Sequence, residues 1–491
     1  MKILLKCIVL LICTMTISGR AHAIERSDHM FNAWKATFWD PNAKRCWVDA
    51  APNRTTYSDF WRSAQEFKMI IAYYRKTGLE RQLITDFYAG FTNTYGINWT
   101  GNAFNDDIVW MSRACLDAYY ATGEQHYLDR AISHCEWVRT HSWDGTYGGG
   151  VWQQNQPGQA YPNSKPGYLN FHLAEMYVEF ANIYNNNNYA GTASDFYNWT
   201  KSHLVSGGAV YNSISASGVD TTEWSYGGGC AISAAVRLFW KTGNAAYIND
   251  ARAVAGRWQS SAHSAGDGVL TEGHTGDNKH DIDGFKLDLL RGMALLISVS
   301  SGDSATYLPW MQANANAVWS RRNPTRDLKD NVFTRTTTDS WVLGSFETVS
   351  SVGSLIYFGS GSVDTPAGPL FNVQNGNCID GGDAYWVKQS AWANAPSQTW
   401  RLEHAGGGYY RIVNQSSGKV IDMRDPSGNL ASMAWGNLDG QKWRLSPLGG
   451  DQYMIISKQN GNVIDMYSSV LKTWAWANVS WQIVRIPGNL H

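Results

Sequence analysis

From about residue 28 to 358 the chain alternates stretches whose apolar residues recur at helical spacing with short polar turns, and one kind of turn keeps returning. "YYRKTGLERQLI", "YYATGEQHYLDRA" and "FWKTGNAAYINDA" each place aromatic residues before a Thr-Gly pair (Thr77-Gly78, Thr122-Gly123, Thr242-Gly243) and a fresh apolar periodicity after it. Glycine there supplies the left-handed residue that ends a helix, so each stretch predicts a helical hairpin. Weaker copies fall near Asn186, in "FANIYNNNNYAGTASDFYNW", and at Ser301-Gly302, in "LISVSSGDSATYLPWM". Turns near 78, 123, 186, 243 and 302 lie roughly 45 to 65 residues apart, a period that signals stacked helix pairs. The N-terminal "DHMFNAWKATFW" and the last helix, "SWVLGSFETVSSVGSLIYF", make a sixth pair if they close the ring. An all-α toroid of hairpins is the expected architecture, because an open solenoid would need polar end caps that the sequence does not offer.

The pattern changes after "GSGSVDTPAGP", a linker at 359–369. Short β-type runs then occur in three copies, "NCIDGGDAYWVKQSAWANAPSQTWRL", "GKVIDMRDPSGNLASMAWGNLDGQKWRL" and "GNVIDMYSSVLKTWAWANVSWQIV". Asp380, Asp422 and Asp465 are spaced by 42 and 43 residues, and Trp392, Trp435 and Trp476 by 43 and 41. Three copies in register predict a compact all-β module with threefold pseudosymmetry. Its two Gln-x-Trp motifs, at Gln398 and Gln441, resemble the ricin-type β-trefoil lectins over about residues 370–487 of a domain expected to span 370–491. The resemblance implies that a sugar-binding lobe needs the Asp, an aromatic platform and polar residues ahead of the core Trp. Lobe one then offers Asp380, Trp392, Asn394 and Gln398, and lobe two offers Asp422, Trp435, Asn437 and Gln441. Lobe three, whose interval to Trp481 is short and lacks a preceding Gln, is the doubtful one; each Asp can alternatively fix a turn.

A chain of 491 residues accommodates this multidomain plan, an (α/α)6 toroid over about 24–358 followed by a β-trefoil. A formal net charge of -1 gives no basic face for nucleic acid, so a neutral partner is expected. The 24 Trp and 25 Tyr against 16% charged residues provide rings for the core and, in a minority, for stacking on sugar faces. The start, "MKILLKCIVLLICTMTISGRAHA", has the layout of a cleavable export signal over 1–23, and no later stretch is apolar enough for a membrane span. Export as a monomer, to the periplasm or beyond, is therefore the expectation. Five cysteines remain, too scattered for a disulfide framework, and no set of His and carboxylates has metal spacing. Neither a metal nor another cofactor is expected.

The chemistry centres on "GNAFNDDIVWMSRACLDAYYATGE", where Asp106 and Asp107 precede an apolar run. Adjacent acids at a helix start can be caps, or they can be a pair of catalytic carboxyl groups. Neighbours along a regular helix diverge by about 100°, so joint action requires the irregular start of the helix. "FNDDIVW", with "CLDAYYATGE", "DGTYGGGVWQQN", "WSYGGGCAI" and "DIDGFKLDLLRGM" in order after it, resembles glycoside hydrolase family 76, endo-α-1,6-mannanases with an (α/α)6 fold. The resemblance implies a configuration-retaining reaction on α-mannan, with Asp106 as nucleophile and Asp107 as general acid/base.

Other candidates keep two readings. Trp110, one helical turn past the pair, is core or groove wall. Tyr147, Trp152, Trp224 and Tyr226 sit in "TYGGGVW" and "WSYGGG", where glycines either admit a ligand or allow tight packing at hairpin ends. Asp283 in "HDIDGF" either binds sugar hydroxyls or caps the next helix.

Overall fold

A computed structural model describes residues 26–155, 163–273, 281–359, 367–381, 385–393, 395–406, 409–423, 427–449, 452–477 and 479–486. The expected export signal, most of the linker and Asn394 lie outside the described residues.

Six inner helices form a closed ring: α2 (Phe60–Thr77), α4 (Asn105–Thr122), α6 (Gly167–Ile183), α8 (Ser225–Thr242), α10 (Lys286–Ile297) and α12 (Ser345–Phe358), each packed on the next and α12 back on α2. Around them run α1 (Arg26–Phe38), α3 (Arg81–Tyr95), α5 (Gln125–Ser142), α7 (Asn187–Leu204), α9 (Ala245–Gln259) and α11 (Ser301–Ser320). The closure by first and last helices is as expected: α1 packs on α12, and Trp34 Nε1 donates to Ser345 O at 3.0 Å. Gly78, Gly123 and Gly243 end their helices at φ of 74°, 74° and 71°, each returning its N–H to a carbonyl four residues back. The turn expected at Ser301-Gly302 falls slightly earlier, because Ser300 caps α11 by accepting from the Asp303 N–H and draws 301 and 302 into the helix. Inner helices such as α6 and α12 are buried on nearly every side, while α5 and α7 bury one stripe, as a ring within a ring requires.

The hub between the inner helices is charged. Glu175 is fully buried and meets Arg113 at 3.5 Å, Arg237 at 3.0 Å and Arg291, while Arg113 also pairs with Asp117. Nearer the helix starts, Lys68 binds Asp288 at 2.5 Å, and Gln65 donates to the same carboxylate at 3.1 Å.

The β domain has three like lobes. Cys378–Asp380 pairs with Lys388–Ser390, Val420–Asp422 with Ala431–Met433, and Val463–Asp465 with Lys472–Trp474, each followed by a short 3-10 turn ending at Gln398, Gln441 or Gln482. Fully buried Trp400 and Trp443 donate from Nε1 to Ile379 O and Ile421 O at 2.9 and 3.0 Å. In lobe three buried Val484 holds the corresponding place, and Trp481 lies outside the core beside Tyr467, ring centroids 5.3 Å apart. The β domain rests on the ends of the inner helices remote from Asp106: strand Trp400–Gly406 contacts α8 and Trp443–Gly449 contacts α4. There burial pushes the Tyr410 hydroxyl up to about 12 against the opposing pull of Arg237, in the C-terminal half of α8, and Arg75, in the last turn of α2.

Candidate active site

Phe104, extended at φ -117° and ψ 121°, occupies the position before α4 and offers no side-chain cap. Asn105 turns its amide away to Ser142 Oγ at 2.6 Å and Trp152 O at 2.8 Å, so neither it nor Asp106 caps the helix. Asp106 and Asp107 lie in the first helical turn rather than ahead of it. Free backbone N–H groups and the positive end of the helix dipole favour anions at that place. The loop that follows Trp143 is stitched to this start: Asn105 N donates to Gln153 O at 2.7 Å, Asn155 N to Ala103 O at 2.9 Å, and Asn155 Nδ2 to Asn102 O at 2.6 Å. Its glycines are needed for close approach, since a Cβ on Gly150, at φ 80°, would fall 2.5 Å from the Trp199 ring.

The two acids have different surroundings. Oδ2 of Asp106 accepts from Tyr168 Oη at 2.9 Å and from Gln153 Nε2 at 3.1 Å, and Gln153 Nε2 also donates to Tyr168 Oη at 2.9 Å. Its other oxygen, Oδ1, is buried without a hydrogen-bond partner. Burial raises Asp106 above the ordinary carboxylate range, partly offset by Tyr168, Gln153 and the backbone N–H groups of Asp106 and Asp107. Asp107 Oδ2 accepts instead from Asn102 Nδ2 at 3.1 Å. As residues both acids are partly exposed, although Oδ1 of Asp106 is not among the exposed atoms.

Behind them stands an aromatic wall. Tyr168 lies parallel to Trp110 (10°, centroids 6.1 Å) and edge-on to Tyr226 at 4.3 Å, and Tyr226 meets Phe285 at 3.9 Å. Trp110 and Tyr226 are 4% and 8% exposed, so they back the site rather than offer open sugar platforms. Asp283 departs further from the ligand-binding expectation: it is fully buried and accepts from Asn331 Nδ2 at 2.8 Å, beneath the surface. Trp224 is half-buried, its ring centroid 5.8 Å from that of Phe285. Tyr147 and Trp152 are partly exposed together, 6.0 Å apart, on a loop clamped from below. There the buried Lys165 ammonium donates to Asp144 Oδ1, Thr146 O and Gly149 O at 2.6, 2.8 and 2.7 Å and lies 4.9 Å from the Trp152 ring. Desolvation alone would raise Asp144, but Lys165 and Trp152 Nε1 hold its carboxyl at about 2.

In the β domain Trp392 is 38% exposed, against Phe371, and Trp435 is half covered by the Arg411 guanidinium at 5.1 Å. Asn437 is exposed in a left-handed turn at φ 58°. Gln398 and Gln441 are buried, which corrects their expected place at a sugar: Gln398 accepts from Ala393 N and donates to Ser390 Oγ, and Gln441 accepts from Gly436 N and donates to Asp422 Oδ2 at 2.9 Å. Asp422 is buried with it, whereas Asp380, partly exposed, accepts from Ser390 Oγ at 2.8 Å. Lobe three does have the glutamine that the sequence reading found missing: Gln482 accepts from Ala477 N and donates to Asp465 Oδ2 at 3.0 Å.

Comparison with known proteins fits both halves. The family model "Glycosyl hydrolase family 76" matches residues 23–357. The chain belongs to this family. A ricin-type β-trefoil lectin domain-like model matches residues 357–435 and 396–478. Among solved structures, the family 76 α-1,6-mannanase of Salegentibacter sp. HEL1_6 is 21% identical, with a TM-score of 0.60 over 67% of this chain and 97% of its own. An inactive variant of that enzyme, with two consecutive aspartates replaced, was solved with α-1,6-mannotriose and gives a TM-score of 0.61 at the same identity and coverage. Dfg5 from Chaetomium thermophilum, solved with glucosamine, is 18% identical with a TM-score of 0.54 over 61% of this chain and 80% of its own. No curated protein matches.

Within this family 76 domain, sequence reasoning missed Tyr168, Asn102, Gln153 and Lys165. Gln153 lay inside the quoted "DGTYGGGVWQQN", but nothing marked it above Gln154. Tyr168 begins α6 and carries no local signal at all. Among the described residues no cluster of His, Cys, Asp and Glu could hold a metal ion, and no helix is long and apolar enough to cross a membrane.

Proposed function

We propose that the protein is an exported endo-acting α-1,6-mannanase, working as a monomer, that cleaves the α-1,6-linked mannan backbone with retention of configuration. Asp106 attacks the anomeric carbon, Asp107 protonates the departing oxygen, and Asp107 then takes a proton from the water that releases the sugar. The observation that carries this reading is the unequal environment of two adjacent carboxyls: Asp106 desolvated and bound by Tyr168 and Gln153, Asp107 bound on another side by Asn102. Family membership and the likeness to an α-1,6-mannanase support the substrate class. Tyr147, Trp152 and Trp224 stack on neighbouring sugars in this reading, which their partial exposure supports. Export rests on the N-terminal signal, and the β domain serves as a second, tethered contact with polysaccharide.

The test is digestion of linear α-1,6-mannan, with the anomeric form of fresh product followed by NMR. Retained α-product from the wild type, lost in Asp106→Asn and Asp107→Asn, is expected; inverted product or unchanged variants would end the proposal. An added glycan acceptor that takes up most of the released sugar would assign the same intermediate to transglycosylation.

A further inference from the structure

We infer that Tyr168 and Gln153 are positioning residues for the second half of the reaction, holding Asp106 as a stable carboxylate when it leaves the sugar. The inference rests on the mannanase reading above. Three observations support it. Gln153 Nε2 donates both to Tyr168 Oη and to Asp106 Oδ2, so the lone pairs of Tyr168 face Gln153 and its proton is directed at Asp106. Neither donor is free to swing away: Tyr168 is wedged between Trp110 and Tyr226, while Gln153 is fixed through its backbone to Asn105 and Ser164. Both donors converge on Oδ2, while Oδ1 is buried without a hydrogen-bond partner, so these are the two side chains that hold the carboxylate.

The consequence follows from charge. In the first step a carboxyl oxygen of Asp106 bonds to the anomeric carbon, the glycosidic electron pair goes to the leaving oxygen with the proton of Asp107, and the charge on Asp106 disappears. Water then bonds to that carbon, its proton passes to Asp107, and the electron pair of the bond between that carbon and the carboxyl oxygen returns to Asp106 as charge. Donors fixed on Oδ2 stabilise the carboxylate, so they oppose the first step slightly and assist the second. A hydrogen bond to a charged group is strong enough that losing one slows the second step by about tenfold.

An aryl α-1,6-mannooligoside with a good leaving group makes the first step fast and tests this directly. Tyr168→Phe should lower kcat about tenfold, lower KM in parallel, and accumulate a glycosyl-enzyme adduct visible by intact mass spectrometry. Gln153→Met should do the same to a smaller extent and keeps the test decisive if Tyr168→Phe is too unstable to assay. Equal losses in kcat and kcat/KM without an adduct in either variant would overturn the inference. A wild type that forms inverted product, or leaves mannan uncut, would instead remove the mannanase reading beneath it.

Discussion

All six inner helices of the toroid start on one face, yet among the described residues only α4 carries adjacent carboxylates there, whereas every lobe of the β domain repeats a buried glutamine, bonded directly to the aspartate of its lobe in lobes two and three and linked to it through Ser390 in lobe one. The helical repeat is one of architecture, held by glycine turns and burial, and it leaves each helix start free to diverge. The β repeat is one of residues, because each lobe is too small to shape its turn without a buried amide bridging several backbone groups. The candidate site therefore sits where the first repeat is broken, while the second repeat is kept by its buried glutamines. Docking of the β domain on the remote helix ends keeps it clear of the face that holds Asp106.

The largest effect that would break this contrast lies at Asp106. Asp106→Asn should reduce mannan hydrolysis by about a thousandfold or more, with both unfolding transitions unchanged, since the residue is no cap. The low-pH limb of kcat/KM should report Asp106, displaced upward because burial raises it: activity is present above its pKa and lost below. A variant that lost stability in proportion to activity would make the acids architectural after all.

Next comes the hub. Glu175→Gln removes the anion that three arginines share and should lower the helical transition by about 3 to 5 kcal/mol, while the β transition stays in place. Burial alone would raise Glu175, but Arg291, Arg113 and Arg237 together hold it far below the usual range. Calorimetry with two resolved transitions checks this. A loss shared by both would mean that the domains unfold as one unit through the contact at Tyr410.

How much of this was legible differs between the halves for the same reason. Thr-Gly turns and apolar periodicity revealed the hairpins, because a left-handed residue after a helix is a local demand that glycine meets. Two acids in one turn are ordinary caps by themselves, and the Asp pair became a candidate through the resemblance carried by "FNDDIVW" and the segments after it. Tyr168 was not, since it reaches Asp106 across 62 residues and begins a helix buried on nearly every side. In the β domain literal repetition gave the lobes, but lobe three misled: Val484 replaces the core tryptophan and nearby Trp481 imitates it, shifting the apparent register and hiding Gln482. Asp283 and Asp422 show the complementary failure, for sequence does not distinguish an acid facing solvent from one consumed by a buried amide.

A smaller effect tests the seam of the ring. Glu66 is buried between α2 and the start of α12, accepting from Ser58 Oγ at 2.6 Å and from Ser345. Burial outweighs those donors and pushes it from 4.5 to about 7. The folded state thus holds a proton that the unfolded chain releases, so stability is highest at low pH and declines by about 3 kcal/mol between pH 4.5 and 7 on this group's account. Glu66→Gln should consequently raise the helical Tm more at pH 8 than at pH 5. A shift of equal size at both would show that Glu66 is charged in the fold.

The smallest effect separates the lobes from one another. Trp392 and Trp476 are each 38% exposed, while Arg411 covers part of Trp435. A bare indole face is what an apolar sugar face stacks on, and a guanidinium already seated over the ring competes for that surface. Trp392→Ala and Trp476→Ala should each weaken retention on insoluble mannan by about 1 kcal/mol, close to fivefold, and together by more, because lobes on one rigid body act through effective concentration. Trp435→Ala should change retention less than either. Turnover of short soluble oligosaccharides should remain at the wild-type rate in all three, since the β domain rests on the helix ends remote from Asp106. If Trp435→Ala proved the most damaging, the guanidinium would belong to the sugar site, and the lobe with the buried Asp422–Gln441 pair would be the binding one.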